Sequence, residues 1–321
     1  MSRLAVIGCG AWGRNLIRTC AELGVLGAVA DADPAAASEQ AAAWNVPALP
    51  LADILADPTF PAVILATPAP THIPLAHLAL DHGKDVFVEK PLALTLDEAE
   101  ALAARLRGSD RIFMVGHLLR HHPAFETLLA MVRRGDIGRL HHVTASRLNL
   151  GRVRTHEDAF LSLSPHDLSM VLALAGEQPE RIHAVGRTAP GRSVADETRV
   201  DLLFPSGLHA HVAASWLNPF KEQRLVVVGE TGALVFDDTR PWPEKLSHRV
   251  QRVADAPDGP RAVGEDPRLV PLEPEAPLTR EIRAFVACCA ARKRPVTDIE
   301  EGLGVQRVLE AVQKILASPG G

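Results

Sequence analysis

The chain of 321 residues contains no tyrosine, and nine phenylalanines and four tryptophans supply all its large aromatic rings. No Tyr-x-x-x-Lys pair can exist, so any reductase chemistry must draw its acid or base from another side chain. Four cysteines are present: Cys9 in a glycine-rich turn, Cys20, and the adjacent Cys288 and Cys289 on an expected helix. Their spacing fits neither a disulfide framework nor a metal site, so reduced thiols and no metal are expected. No stretch reaches 18 uninterrupted apolar residues, and no membrane partner is expected. The opening MSRLAVIGCG lacks the long apolar run and small-residue cleavage site of a secretory signal, which makes the cytoplasm the expected location. Net charge is only −5, and no concentrated basic surface invites nucleic acid. The expected partners are small molecules and further copies of the chain.

What is present is an ordinary globular composition, 47% hydrophobic and 23% charged, in a chain long enough for two domains. Short apolar runs at 4–8, 25–31, 62–68, 85–91 and 112–118 alternate with stretches of helical spacing such as TLDEAEALAARLR. Thr95 and Glu98 open that stretch as a capping box. Buried strands alternating with helices predict a parallel sheet with right-handed crossovers. After about residue 120 the apolar residues alternate over longer strands at 139–149, 181–188, 198–204, 208–217 and 223–230, which predicts an antiparallel sheet with one open face. SPHDLSMVLALAG (164–176) predicts one helix, and two more helices close the chain. The stretch 237–277, rich in Pro, Asp and Gly, predicts a mobile surface loop. The expected fold class is α/β, with an N-terminal Rossmann dinucleotide-binding domain over 1–119. A second α/β domain with an open, mainly antiparallel sheet is expected over 120–321.

Gly8-Cys9-Gly10-Ala11-Trp12-Gly13 is a G-x-G-x-x-G that follows a strand and opens a helix. The glycines permit a tight turn and close approach of the backbone to a pyrophosphate, whose charge meets the free N–H groups of the helix start. Asp31 ends the second strand, where its carboxylate would accept ribose hydroxyls and repel a 2′-phosphate. NAD is therefore expected as the cofactor, in preference to NADP. Asp33 adds to that repulsion or caps a helix before Pro34. Thr67-Pro68-Ala69-Pro70-Thr71-His72 follows another strand, at the end where ligands lie in such sheets. Thr67, Pro68 and His72 are thus cofactor-side candidates, while Thr71 either joins them or caps the next helix.

The order of Gly8–Gly13, Thr67-Pro68…His72, Glu89-Lys90-Pro91 and a Gly-His-x-x-Arg segment at 116–120 resembles the glucose-fructose oxidoreductase and inositol dehydrogenase family (Gfo/Idh/MocA). The likeness runs from residue 3 to about 315, and Glu89-Lys90-Pro91 is its most specific motif. It implies NAD(P)-dependent hydride transfer at a secondary alcohol of a sugar, inositol or sugar nucleotide, with the second domain binding substrate. It also implies a homodimer or homotetramer formed through the open sheet. GHLLRHHPAF (116–125), RLNLGRVR (147–154) and SLSPHDLSMVLALAG (162–176) most resemble a branch found with surface-polysaccharide synthesis, similar to UDP-N-acetylglucosamine or uronate 3-dehydrogenases.

Alcohol oxidation needs a base that titrates near working pH, and His166 is the candidate. Ser164 suits an N-cap, Pro165 the first helical position and Asp167 a capping acid, which places His166 in the first turn, where the helix dipole disfavours imidazolium. The resemblance implies that Lys90 touches substrate hydroxyl and nicotinamide, where an ammonium stabilises developing alkoxide charge; Glu89 is the cofactor-side neighbour with which it otherwise only pairs. His117, Arg120, Arg152 and Ser162 are substrate-side candidates, with surface packing the alternative for His117 and Arg120. His121 and His122 are read as solvated. Many members of the family carry Asp where this chain has Ser162, which adds no charge beside His166; Asp158 replaces it only if the loop folds back. Beside a sugar 3-dehydrogenase stand two alternatives: a free sugar or inositol dehydrogenase, and a non-catalytic dinucleotide-binding partner protein.

Overall fold

Strands buried on both faces need helices on both faces, and this chain meets the demand from two distant stretches of sequence. The computed structural model describes residues 3–318. One compact unit takes the chain up to His121 together with Ala276–Gln306, and the other takes His122–Glu275 with the chain from Arg307 onward.

In the first unit β1 (Leu4–Ile7), β2 (Leu26–Ala30), β3 (Ala62–Leu65), β4 (Asp85–Val88) and β5 (Phe113–Val115) form a parallel sheet in the order β2-β1-β3-β4-β5. The helices between them are α1 (Gly13–Glu22), α2 (Pro34–Trp44), α3 (Leu51–Ala56), α4 (His72–Asp81) and α5 (Leu96–Leu106). Alternate strand residues point to opposite faces. Ala5, Ile7, Val63 and Val86 pack with α4 and α5, whereas Val6, Ile64, Phe87 and Met114 pack with α1. The capping box of Thr95 and Glu98 is formed at the start of α5.

The second unit contains α6 (Pro123–Arg134), β6 (Leu140–Leu150), α7 (Ala159–Leu163), α8 (Pro165–Ala175), β7 (Arg181–Arg187), β8 (Glu197–Leu203), β9 (His209–Ser215), β10 (Leu217–Gly229) and β11 (Gly232–Asp237). It continues with β12 (Leu246–Ala254), β13 (Arg261–Gly264) and β14 (Arg268–Leu269). The sheet order is β13-β12-β11-β10-β6-β9-β8-β7, with β14 beside β12. Among the described strands of this sheet only β6 and β9 pair in parallel; the other pairs are antiparallel. In β8 the buried Thr198, Val200 and Leu202 alternate with outward Arg199 and Asp201, the pattern of a sheet covered on one face. Helices α6, α7 and α8 pack on the covered face.

Two expectations change. The stretch 237–277 is not a loop, because β12, β13 and β14 form within it. These lie at the sheet edge and carry exposed charges such as Arg249, Arg252 and Arg261, the polar dress of an edge strand, which a composition reading takes for loop. The boundary between 119 and 120 also fails to capture the return of the chain: α9 (Pro277–Ala291) and the first half of α10 (Ile299–Leu316) belong to the first unit. Ile282 and Phe285 of α9 fill the α1 face of the parallel sheet, and Ile299 and Leu303 of α10 fill the opposite face. Residues 1, 2 and 319–321 of the expected bounds lie outside the described residues.

Candidate active site

The turn after β1 leaves no room for side chains where it closes and ample room where it opens. Gly8 has φ of +105°, and a Cβ there would stand 2.5 Å from the Ala66 carbonyl oxygen. At Gly13 a Cβ would lie 2.0 Å from the Gly8 carbonyl oxygen, whereas at Gly10 it would meet nothing within 4 Å. The stretch Gly10–Trp12 forms one wall of a cleft of about 690 Å³, with Asp31, Thr67, Pro68 and Thr71 on the others. The open ground before Gly10 and the start of α1 behind it form a cradle suited to the pyrophosphate of a dinucleotide.

Asp31 accepts the Cys9 N–H at 2.6 Å on Oδ2 and the Asp33 N–H at 2.8 Å on Oδ1. Each oxygen keeps a lone pair for a ribose hydroxyl. Asp33 takes the capping role, accepting the Ala35 N–H at the start of α2. Thr71 does not cap α4; its hydroxyl lies 2.7 Å from both Thr67 Oγ1 and the Pro68 carbonyl oxygen. His72 is placed differently from the expectation. It is buried, with Nδ1 2.8 Å from the Pro91 carbonyl oxygen and Nε2 2.7 Å from that of Thr67. The ring therefore ties the turn after β3 to the turn after β4, and its pKa is lowered by burial against the opposing pull of the two carbonyls.

Glu89 and Lys90 follow β4, and the Lys90–Pro91 peptide is cis. The Trp12 indole N–H donates to Glu89 Oε1 at 2.6 Å, and the Lys90 N–H donates to Oε2 at 3.2 Å. Trp12 thus joins the glycine turn to the Glu-Lys-Pro segment, a link across 77 positions with no local signal in the sequence. Gly116 approaches the carboxylate so closely that a Cβ there would stand 3.1 Å from it. Behind it lies Glu281 of α9, wholly buried, with neither carboxylate oxygen hydrogen-bonded among the described residues. Burial raises the pKa of both acids, that of Glu89 to about 7, and the nearby Glu89 carboxylate raises that of Glu281 further. Glu281 was detectable in principle: in LTREIRAFVACCAARK it sits beside Ile282 on the face shared with Phe285 and Cys289.

His117 and Arg120 are drawn inward rather than left at the surface. His117 Nδ1 lies 2.7 Å from Glu301 Oε2, and an Arg120 Nη1–H donates to Glu301 Oε1 at 3.5 Å. His121 and His122 are buried, contrary to their reading as solvated. Burial lowers the His121 pKa to about 4. His122 is the N-cap of α6: its Nδ1 accepts the Ala124 N–H at 3.0 Å, so its proton sits on Nε2, 3.4 Å from Asp238. Burial alone would raise the Asp238 pKa, but His122 and Lys245 outweigh it and take it down to about 2.

In the second unit His166 occupies the first turn of α8, after Pro165, as expected. Ser164 precedes the helix without a side-chain cap bond. Asp167 is not a capping acid either. It receives Arg147 Nε–H at 2.6 Å and Nη2–H at 3.0 Å, a buried bidentate pair that pins the start of α8 to β6. Within RLNLGRVR it is thus Arg147 that turns inward, while Arg152 is exposed beyond the end of β6. Ser162 donates to Glu157 Oε1 at 3.2 Å. Asp158 is committed elsewhere, capping α7 through the Leu161 N–H and accepting from Gln313. Glu157 is therefore the carboxylate on Ser162, a residue that sequence reasoning passed over.

The model of an oxidoreductase family with an NAD-binding Rossmann fold (GFO/IDH/MocA) matches residues 2–117, and that of the GFO/IDH/MocA C-terminal domain matches 125–235. The chain belongs to this family. As a GFO/IDH/MocA protein it is an NAD-dependent oxidoreductase, and Gly10, Asp31 and the start of α1 meet the demands of that dinucleotide. It is 29% identical over 316 residues to UDP-N-acetylglucosamine 3-dehydrogenase of Acidithiobacillus ferrooxidans, covering 98% of this chain and 96% of that one. The solved structure of that enzyme matches with a TM-score of 0.84 at 28% identity, covering 98% and 97% of the two chains. The dTDP-3,4-didehydro-2,6-dideoxy-alpha-D-glucose 3-reductase of Streptomyces antibioticus is 28% identical over 90% of this chain and 88% of its own. The scyllo-inositol 2-dehydrogenase (NAD(+)) of Bacillus subtilis is 28% identical over 59% of this chain and 58% of its own. Among the described residues no helix is long and apolar enough to cross a membrane.

Proposed function

We propose that this oxidoreductase oxidises a secondary alcohol of a nucleotide sugar, with C3 of a UDP-linked amino sugar as the position attacked. The likeness to UDP-N-acetylglucosamine 3-dehydrogenase over 98% of the chain carries this reading. Free sugars and inositols are the second choice, because the likeness to the inositol enzyme spans only 59% of the chain. NAD supplies the hydride acceptor. Asp31 accepts the ribose hydroxyls, and the turn from Gly8 to Gly13 receives the pyrophosphate. Lys90 and His166 carry the chemistry: the ammonium stabilises the charge developing on the substrate oxygen, and the imidazole takes the hydroxyl proton. Glu89, His72 and the Arg147–Asp167 pair are positioning residues. Arg152 and Ser162 stand on the substrate side, Ser162 with Glu157 as its partner. The same reading makes the protein a cytoplasmic homodimer or homotetramer joined through the open sheet.

The test is NADH formation, followed by absorbance, across a panel of UDP-sugars, free sugars and inositols. UDP-N-acetylglucosamine should be turned over with the highest kcat/KM. Replacing Lys90→Met should lower kcat by about 10²–10⁴-fold while NAD affinity stays within about twofold. Full turnover by that variant on the best substrate would remove Lys90 from the chemistry, and turnover of inositols alone would displace the nucleotide-sugar reading.

A further inference from the structure

The open face of the second sheet carries a histidine cluster unrelated to the dinucleotide cleft. Parallel pairing sets His142 of β6 opposite His209 of β9 and Thr144 opposite His211. Successive odd or even positions of a strand share a face, so the three histidines project from the same side. One ligand nitrogen from each lies within 4.8 Å of the others. Ring centroids stand 4.6 Å apart for His209 and His211, 4.8 Å for His142 and His211, and 6.0 Å for His142 and His209. The next strand adds a carboxylate: Asp201 of β8 is the register partner of His211 and is hydrogen-bonded to its Nδ1. That bond places a proton on Nδ1 and leaves Nε2 as the nitrogen of His211 with a lone pair to donate.

We infer that His142, His209 and His211 bind one divalent transition-metal ion, Zn²⁺ in the first instance, which bridges β6 and β9. Three imidazoles and one open position are an established donor set for that ion, and a carboxylate on the far nitrogen of a ligating histidine orients the ring and strengthens it as a donor. In a tetrahedral site with Zn–N of about 2.0–2.1 Å the nitrogens stand roughly 3.3 Å apart. Rotation of the exposed His209 ring and the half-buried rings of His142 and His211 closes the difference. The bridge falls on the parallel pair of the sheet, the pairing with the weaker slanted hydrogen bonds. Only His209-x-His211 is visible as a spacing in the sequence; His142 reaches it through strand pairing.

The experiment uses the full chain without a polyhistidine tag, stripped with a chelator and titrated with Zn²⁺ against a chromophoric chelator. The expected result is one ion per chain and a thermal midpoint that rises with Zn²⁺. Both effects should vanish in the double variant H209Q/H211Q, which keeps polar side chains at both positions. Asp201→Asn should weaken binding about 10–100-fold. Co²⁺ in place of Zn²⁺ should show d–d bands without thiolate charge transfer, which separates this site from the adjacent Cys288 and Cys289. Equal binding by wild type and double variant, a thiolate band, or no binding by wild type would each overturn the assignment.

Discussion

A methyl group added at Gly13 and one added at Gly10 meet opposite surroundings, although the two residues belong to one motif. At Gly13 it would press within 2.0 Å of the Gly8 carbonyl oxygen, and at Gly10 it would project into open space. Gly13→Ala should therefore destabilise the fold by about 1–3 kcal/mol, measured by denaturant unfolding. Gly10→Val should leave stability nearly unchanged and weaken NAD binding at least tenfold by calorimetry, an order-of-magnitude expectation for a blocked close approach. Undiminished NAD affinity in that variant would show that the cofactor does not lie against the turn. The histidines show what composition alone misses at this scale. His117, His121 and His122 are polar residues, yet each is buried because Glu301, α9 or Asp238 lies over it.

At the scale of elements, the five parallel strands and the switch to longer alternating strands after residue 120 were legible, because hydrophobic period reports directly which faces are covered. The glycine turn, Asp31 and the first-turn position of His166 were legible for the same reason: each depends on a few neighbouring residues. Much of what stayed hidden depends on residues far apart in the chain. The Trp12–Glu89 bond and the Arg147–Asp167 pair require the fold before they exist. The return of α9 is the largest such case. Phe285 is fully buried and meets Phe87 edge-on, with ring centroids 5.7 Å apart. Phe285→Ala should cost about 3–5 kcal/mol and should destabilise the dinucleotide unit, seen as faster amide exchange in β1, β3 and β4. Exchange confined to the second unit would contradict that placement.

Across the whole molecule, the buried acid pair Glu89 and Glu281 links stability to pH. Their folded-state pKa values are raised above the ordinary carboxylate value, burial being the largest cause. The pair therefore adds no penalty below the unfolded pKa, and stability declines as pH rises from there through the raised values. Glu281→Gln removes one of the two acids, so its melting midpoint should fall less between about pH 5 and about pH 8 than that of the wild type. Parallel pH profiles for the two proteins would rule out the pair as the source of the slope.

The recruitment of α9 and α10 into the first unit also sets a timetable for synthesis. A ribosome that has released the chain only as far as residue 275 has delivered all five parallel strands, but neither Ile282 and Phe285 for one face nor Ile299 and Leu303 for the other. The half of the protein made first thus finishes last, and its partly covered β-layer must wait through translation of the entire second sheet before the closing helices arrive.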